Sequence, residues 1–434
     1  MSKRPVNNDL IEKSYEVSQK NYELAAIHLR DARNLLYAIH GLRDNRALSK
    51  AAILMAAAAL ETNLTYLSLI ALRFVEARPQ KFRRPHINFL RGIDEEIDDN
   101  GRLIERRSRQ TLLERMTIVP NLMALAIDRK YELPNRSAGA KKMQRTIERR
   151  DAIVHPRSDR YLSDVGWWEA AEAVDAVELY LQSVYQCLHP YVMGYSALLW
   201  TIKGPHKDDM GVGYRTFGKR GPKRRITNMQ DLSLVDVLLT EWVDAFFMTE
   251  IAFAHDTEGD SDGSMLTRAA LVLLYAMVDA QLAIVSQWKM HENPSAFTEA
   301  EALFLTEVAV GIGHDGEIWI DSDQHPFKKR VKAIPAVLAR CVDRQEFIID
   351  LGKGWGQDLL RGYALRNGVV HSSPGEQIPR VSMAELRSAV AAVRAYFTEL
   401  ACSVRGAFGH MDVLLNAKLR PDPGSTKPLR NPAR

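Results

Sequence analysis

Two short stretches of this chain carry side chains suited to phosphate chemistry, and they carry them in the same order. RRDAIVHP supplies Arg150, Asp151 and His155, and LRNGVVHSSP supplies Arg366, Asn367 and His371. Each reads arginine, a short polar residue, three small or apolar residues and histidine, with a proline close behind. Arginine offers a permanent charge on a planar fork that matches phosphate. Histidine titrates near neutral pH and can take or give a proton. Two such pairs at one phosphodiester are sufficient to cleave RNA without a metal. One imidazole would deprotonate the 2′-hydroxyl and the other protonate the leaving 5′-oxygen, while the guanidiniums stabilise charge developing on phosphorus.

The spacing has consequences on a helix. Asp151 and His155, like Asn367 and His371, are four apart and share a face, so the polar side chain can orient the imidazole. The arginine lies five before the histidine, about 140° round the helix, and only its length brings the guanidinium back. The following proline ends the helix and leaves the histidine at an accessible edge. A carboxylate at position 151 should make His155 hold its proton more tightly than His371, which assigns His155 as general acid and His371 as base.

The elements that must position these residues occur twice. Arg150 to Arg366 and His155 to His371 are both offsets of 216. Upstream, LSKAAILMAAAALETNL aligns with LTRAALVLLYAMVDAQL at 218, which puts Glu61 on Asp279, a carboxylate interrupting an apolar run. The turns DNG and HDG align at 215, as do ERMTIVP and KRVKAIP, and AVELY aligns with AVRAY at 216. A drift of three positions over the whole unit reads as a tandem duplication.

In each unit a helix precedes the long apolar helix (Ala47 to about Val75 in the first). A β-hairpin follows at Asn100-Gly101 and at Asp315-Gly316. Next come a helix containing Pro120 or Pro335, the motif helix, and a last helix over Val165–Leu188 or Met383–Val404. The predicted class is mainly all-α, two bundles of four to five helices with one hairpin each. The boundaries are 1–200 for the first unit, 201–230 for a basic Gly- and Pro-containing linker and 231–410 for the second unit. A basic, Pro-rich tail over 411–434 is expected to lack fixed structure.

Composition excludes several classes. Hydrophobic residues at 46 % and charged residues at 26 % over 434 positions are enough for ordinary globular cores. The net charge of +4 makes the chain no global nucleic-acid binder, so any such contact must be local. Cys187, Cys341 and Cys402 are scattered without a metal-ligand pair, which fits a reducing, cytoplasmic setting and no metal or other cofactor. The apolar runs around Ala51–Leu60 and Ala269–Val278 are read as buried core rather than membrane spans, since each soon meets a carboxylate. Local basic clusters, Arg83 and Arg84 in a basic loop read over Arg73 to His86 and Arg220, Lys223, Arg224 and Arg225 in the linker, are the candidates for tracking an RNA backbone.

Two helical units, each with Arg, a polar residue, three more and His late in the unit, resemble HEPN domains. The resemblance covers about residues 10 to 190 and 232 to 405. It implies a metal-independent endoribonuclease that leaves a 2′,3′-cyclic phosphate and a 5′-hydroxyl. Arg150, His155, Arg366 and His371 would be catalytic, and Asp151 and Asn367 would occupy the polar position. Family habit adds a role in toxin–antitoxin systems or antiviral defence, with an antitoxin or activating partner. The two units would form an intramolecular pseudo-dimer, a homodimer of the whole chain being the other arrangement. Glu61 and Asp279, costly on apolar helices unless partnered, are expected to pair with a nearby arginine or to support Arg150 and Arg366. The competing reading is a non-catalytic module that binds RNA or a nucleotide or acts as a scaffold.

Overall fold

The computed structural model describes residues 25–36, 46–77, 79–97, 103–107, 110–128, 130–131, 138–154, 165–188, 234–255, 265–312, 318–322, 325–370 and 380–416. His155, His371, the two hairpin turns, the linker with its four basic residues and the chain after Asn416 lie outside them. The fold is all-α. Helices α1 (residues 25–36), α2 (Arg46–Ala77), α3 (Arg84–Arg91), α4 (Leu112–Ala126), α5 (Ala138–Val154) and α6 (Trp167–Leu188) make the N-terminal half. The C-terminal half has α7 (Leu234–His255), α8 (Met265–Glu292), α9 (Glu299–Thr306), α10 (Phe327–Leu338), α11 (Gly354–Val370) and α12 (Met383–Ser403). Two short helices, α13 (Arg405–Phe408) and α14 (Met411–Asn416), close it; the start of the tail expected to lack structure from 411 is thus helical, held by buried Met411 and Leu414.

The strands among the described residues form two antiparallel hairpins. β1 (Ile93–Ile97) pairs with β2 (Leu103–Arg107), and β3 (Val308–Ile312) with β4 (Ile318–Ser322). The stretch from Arg73 to His86, expected as a basic loop, is largely helical. It is the end of α2, a 3₁₀ turn at Pro79–Lys81 and the start of α3. Pro85 in the first turn of α3 suits that start, where a missing N–H costs nothing, and Gly92 at φ 66 closes the helix in the left-handed conformation.

Helices α2 and α8 are the axis of the molecule. α2 packs on α4, α5 and α6; α8 packs on α7, α10, α11 and α12; and α2 and α8 pack on each other. Their 32 and 28 residues make both long and apolar enough to cross a membrane by length and composition, longer than their uninterrupted apolar runs implied. Inside the fold their apolar windows are 83 % and 94 % buried, as central helices of a bundle.

Each half solves one backbone problem in the same way. Pro120 within α4 and Pro335 within α10 have no N–H, so the carbonyls four residues back, of Met116 and Val331, lose their helical donor. A buried carbonyl left without a donor is costly. The Tyr180 hydroxyl donates to the Met116 carbonyl at 2.9 Å, and the Tyr396 hydroxyl to the Val331 carbonyl at 3.1 Å. The last helix of each half is thereby tied to its proline helix.

A double-mutant cycle tests this account by urea denaturation. Tyr396→Phe should cost about 1–3 kcal/mol, the range for stranding a buried acceptor. Pro335→Ala, which restores an N–H for the Val331 carbonyl, should recover a large share of that loss. If the two changes are simply additive, the tyrosine is not serving the carbonyl.

Candidate active site at the junction of the two halves

The halves meet through buried ion pairs that run in both directions. Lys50 of α2 reaches Glu241 and Asp244 of α7, each at 2.7 Å, with Arg46 also on Asp244 at 2.7 Å. In return Arg268 of α8 reaches Asp31 of α1 at 2.7 Å. Lys50 and Arg268 are the residues that the repeat aligns at offset 218. Burial alone would depress the Lys50 ammonium, but the two carboxylates reverse this and hold it above its ordinary value. Burial lifts the Asp31 carboxyl, and the Arg268 guanidinium offsets part of that rise.

This packing sets the C-terminal ends of the motif helices against the opposite half. Val154, the last described residue of α5, lines a pocket with Asp279, Glu307 and Arg330 of the C-terminal half. Val369, near the end of α11, lies beside His28 of the N-terminal half. His155 and His371 are the next residues after these helices and lie outside the described residues.

The arginines are described, and each is held by its own motif. Arg150 Nη1 donates to Asp151 Oδ1 at 2.8 Å, and Arg366 Nη1 donates to Asn367 Oδ1 at 2.9 Å. The polar position therefore orients the arginine, a role that the four-residue spacing to histidine did not suggest. Arg150 is close enough to Arg366 for the two charges to repel. Burial depresses the Arg366 guanidinium below its ordinary value, Arg150 and Arg330 push the same way, and Asp279 and Tyr363 oppose them.

Arg366 is only 3 % exposed, and its Nε has no hydrogen-bond partner among the described residues. It stands over the Tyr363 ring at 5.8 Å, which is stacked on Phe327 at 3.8 Å. Tyr275 completes this platform and donates its hydroxyl to the Leu359 carbonyl at 2.7 Å. Gly362 is required there, because a Cβ would lie 2.2 Å from the Tyr275 hydroxyl oxygen.

The two interrupting carboxylates find arginines from the proline helices. Asp279 meets Arg330 at 2.8 Å in an ion contact whose Oδ1 is not aligned for a hydrogen bond, and Glu61 meets Arg115 at 3.8 Å. Asp279 also acts electrostatically on Arg366, so one carboxylate serves two cations. Burial raises the Asp279 carboxyl, with Arg330 and Arg366 opposing. Arg115 and Arg330 are aligned by the repeat within ERMTIVP and KRVKAIP, so the signal for them was available and not used.

His28 was also missed. It is fully buried, and burial with the nearby Arg268 charge holds its pKa down to about 3. The Val369 carbonyl and the Glu61 carboxylate favour a ring proton, but neither nitrogen has an aligned hydrogen bond. Its place one turn before Asp31 on the buried side of α1 explains why composition could not single it out. Of the expected RNA contacts, Arg84 is engaged by Glu95 at 2.6 Å on the surface, and Arg83 is the exposed cap of α3.

No protein-family model, curated protein or solved structure matches this chain.

His28 makes that junction sensitive to acid. Its folded pKa lies below the unfolded value of about 6.5, so its contribution to stability is present above that pH and declines as pH falls toward 3. The slope is about 1.4 kcal/mol per pH unit. His28→Leu should flatten the loss of stability between pH 6.5 and 4, read as urea midpoints across pH. An unchanged slope would mean that His28 is not held neutral.

Proposed function

We propose that the chain is a metal-independent endoribonuclease of HEPN type whose two halves, products of a tandem duplication, share one composite site. The observation that carries this reading is that the charge of Arg150 acts on the buried Arg366. They come from different halves, yet lie within electrostatic range at the junction. Like charges gathered in a buried place are unfavourable unless an anion is meant to join them. Two further features support it. The element order from α1 to α6 recurs from α7 to α12, and the Tyr–carbonyl and Arg–Asp/Asn bonds have equivalents in both halves.

In this reading the two guanidiniums bind the scissile phosphate. His371 removes the 2′-hydroxyl proton, and the 2′-oxygen attacks phosphorus. The P–O5′ bond breaks, and His155 delivers a proton to the departing 5′-oxygen. The products carry a 2′,3′-cyclic phosphate and a 5′-hydroxyl. Asp279 and Glu61 act at one remove: Asp279 steadies Arg366, and Glu61 faces His28 next to the end of α11. The basic clusters, Arg83 with Arg84 and the linker group Arg220, Lys223, Arg224 and Arg225, would extend the hold on the RNA backbone. A cytoplasmic defence or toxin role, with a partner that restrains or triggers cleavage, belongs to the same proposal.

The test is cleavage of labelled single-stranded RNA in EDTA. His155→Ala and His371→Ala should each lower the rate by about 10²–10⁴. Arg366→Ala should cost about 10²–10³, with little rescue by Lys, whose point charge cannot replace the fork. Cleavage that survives either histidine change would remove the composite site. RNA bound tightly but never cut would favour the binding module.

A further inference from the structure

Tyr363 lies one turn before Arg366 on α11, and no step of the cleavage chemistry uses its hydroxyl. Residues three apart on a helix share a face, so the two side chains leave α11 on the same side. The ring is packed from two directions. One face is stacked on buried Phe327 with 5° between the planes, and the Tyr275 ring meets it edge-on with centroids 5.8 Å apart. A ring packed in this way keeps one rotamer, and the hydroxyl is fixed with it.

That hydroxyl differs from those of the other tyrosines around the proline and motif helices. Tyr180, Tyr396 and Tyr275 each donate to a backbone carbonyl inside the fold, of Met116, Val331 and Leu359. The Tyr363 hydroxyl has no hydrogen-bond partner among the described residues. The residue is partly exposed, and the oxygen is not sealed from solvent as Arg366 Nε is. A phenol with a packed ring and a wet tip can meet a ligand without reorganising. Tyr363 is also close enough to act electrostatically on both Arg366 and Arg330.

Arg366 shows which of its own atoms would share that ligand. Nε is sealed and Nη1 is given to Asn367, which among the described residues leaves Nη2 to meet an incoming oxygen. The guanidinium carbon stands 5.8 Å from the centre of the Tyr363 ring. Two oxygens of one phosphate, each accepting at about 2.7–3.0 Å, can bridge donors so placed. The twin half has no such donor, because the repeat aligns Ile147 with Tyr363. An aliphatic side chain is enough to fill the space, so the hydroxyl at 363 is not a requirement of the bundle. One phosphate shared between the halves calls for one such donor, not two.

We propose that Tyr363 is a further catalytic residue of the shared site, its hydroxyl donating a hydrogen bond to a non-bridging oxygen of the scissile phosphate beside Arg366. The proton stays on Tyr363 throughout. The bond strengthens as negative charge gathers on that oxygen, so it contributes more to the rate than to binding. The proposal rests on the ribonuclease reading for its substrate, but contact with a phosphate can be measured without any cleavage.

The test is Tyr363→Phe in the full chain, which keeps the ring, its stack on Phe327 and the seat of Arg366. The urea midpoint should not move, because no described group loses a partner. Binding of inorganic phosphate in EDTA, followed by NMR of the arginine side-chain N–H groups, should weaken about tenfold. On labelled single-stranded RNA, kcat should fall about 10²-fold with a smaller change in KM.

The outcomes separate the two ideas. Phosphate binding that weakens in Tyr363→Phe, in a chain whose wild type cuts no RNA, upholds the phosphate contact and sinks the ribonuclease reading. Unchanged phosphate binding with unchanged kcat overturns the proposal and leaves that reading standing. A fall in kcat at constant urea midpoint supports the proposal even where free phosphate binds too weakly to titrate. Weaker phosphate binding with kcat unchanged removes Tyr363 from the catalytic residues, and a lowered urea midpoint shows its hydroxyl to be structural. A wild type that neither binds phosphate nor cuts RNA overturns both.

Discussion

The junction depends on charges buried between the two halves. Lys50 on Glu241 and Asp244, and Arg268 on Asp31, place cations of the central helices onto acids of the other half's first helix. Such pairs add little net stability, because desolvation cancels much of the attraction. Removing one partner is far more damaging, since a buried charge is left alone. Their effect is therefore on register. Apolar helices such as α2 and α8 could slide or rotate past each other at small cost in buried area, but only one arrangement pairs every charge. That arrangement sets Val154 against Asp279 and Val369 against His28, and so fixes where the motif ends point.

The register is nearly symmetric, but the arginine environments are not. Arg366 rests on an aromatic platform of Tyr363, Phe327 and Tyr275, and is almost wholly buried. The positions that the repeat aligns with those three rings hold Ile147, Leu112 and Ala57. Arg150 has no ring beneath it from those positions, and its side chain is 16 % exposed. A guanidinium on a stacked ring is fixed in plane, whereas one against aliphatic side chains keeps more freedom. In the proposed site the two halves would therefore contribute different things to a shared anion: a rigid fork from Arg366 and a more adjustable one from Arg150.

Much of this was legible in the sequence. The matched order of Arg, polar residue and His, with AVELY against AVRAY and ERMTIVP against KRVKAIP, was enough to expect two helical units and to align their last helices. The hydrogen bond that gives the tyrosine and proline of those segments their meaning was hidden, because it joins positions 64 and 65 residues apart through a carbonyl that no residue type advertises. The cross-half ion pairs were hidden for a related reason. Asp31, Glu241 and Asp244 look like solvent-facing acids on amphipathic helices until the partner half covers them. The basic loop at Arg73 to His86 was misread because charge suggested solvent, while α2 in fact runs on through Arg73 and the chain re-enters a helix at Arg84. The pocket by Val154 could not be foreseen at all, being shaped by four helices from two halves.

In the proposed function, the charge count around Arg366 is what would draw an anion to this junction. The guanidiniums of Arg150 and Arg330 both act on that of Arg366 there. Asp151 offsets Arg150, and Asp279 and Glu307 contact Arg330, which among the described residues leaves Arg366 with a neutral amide and a share of Asp279. A cation so buried and so incompletely paired is expensive to keep. A second carboxylate beside it would remove the expense, but would also neutralise the fork. An anionic ligand whose charge grows during reaction relieves the same cost most at the moment of greatest charge, and that difference between ground and transition state is what accelerates a reaction. The aromatic platform, the glycine that lets Tyr275 approach and the cross-half ion pairs all act to keep Arg366 in this under-compensated position.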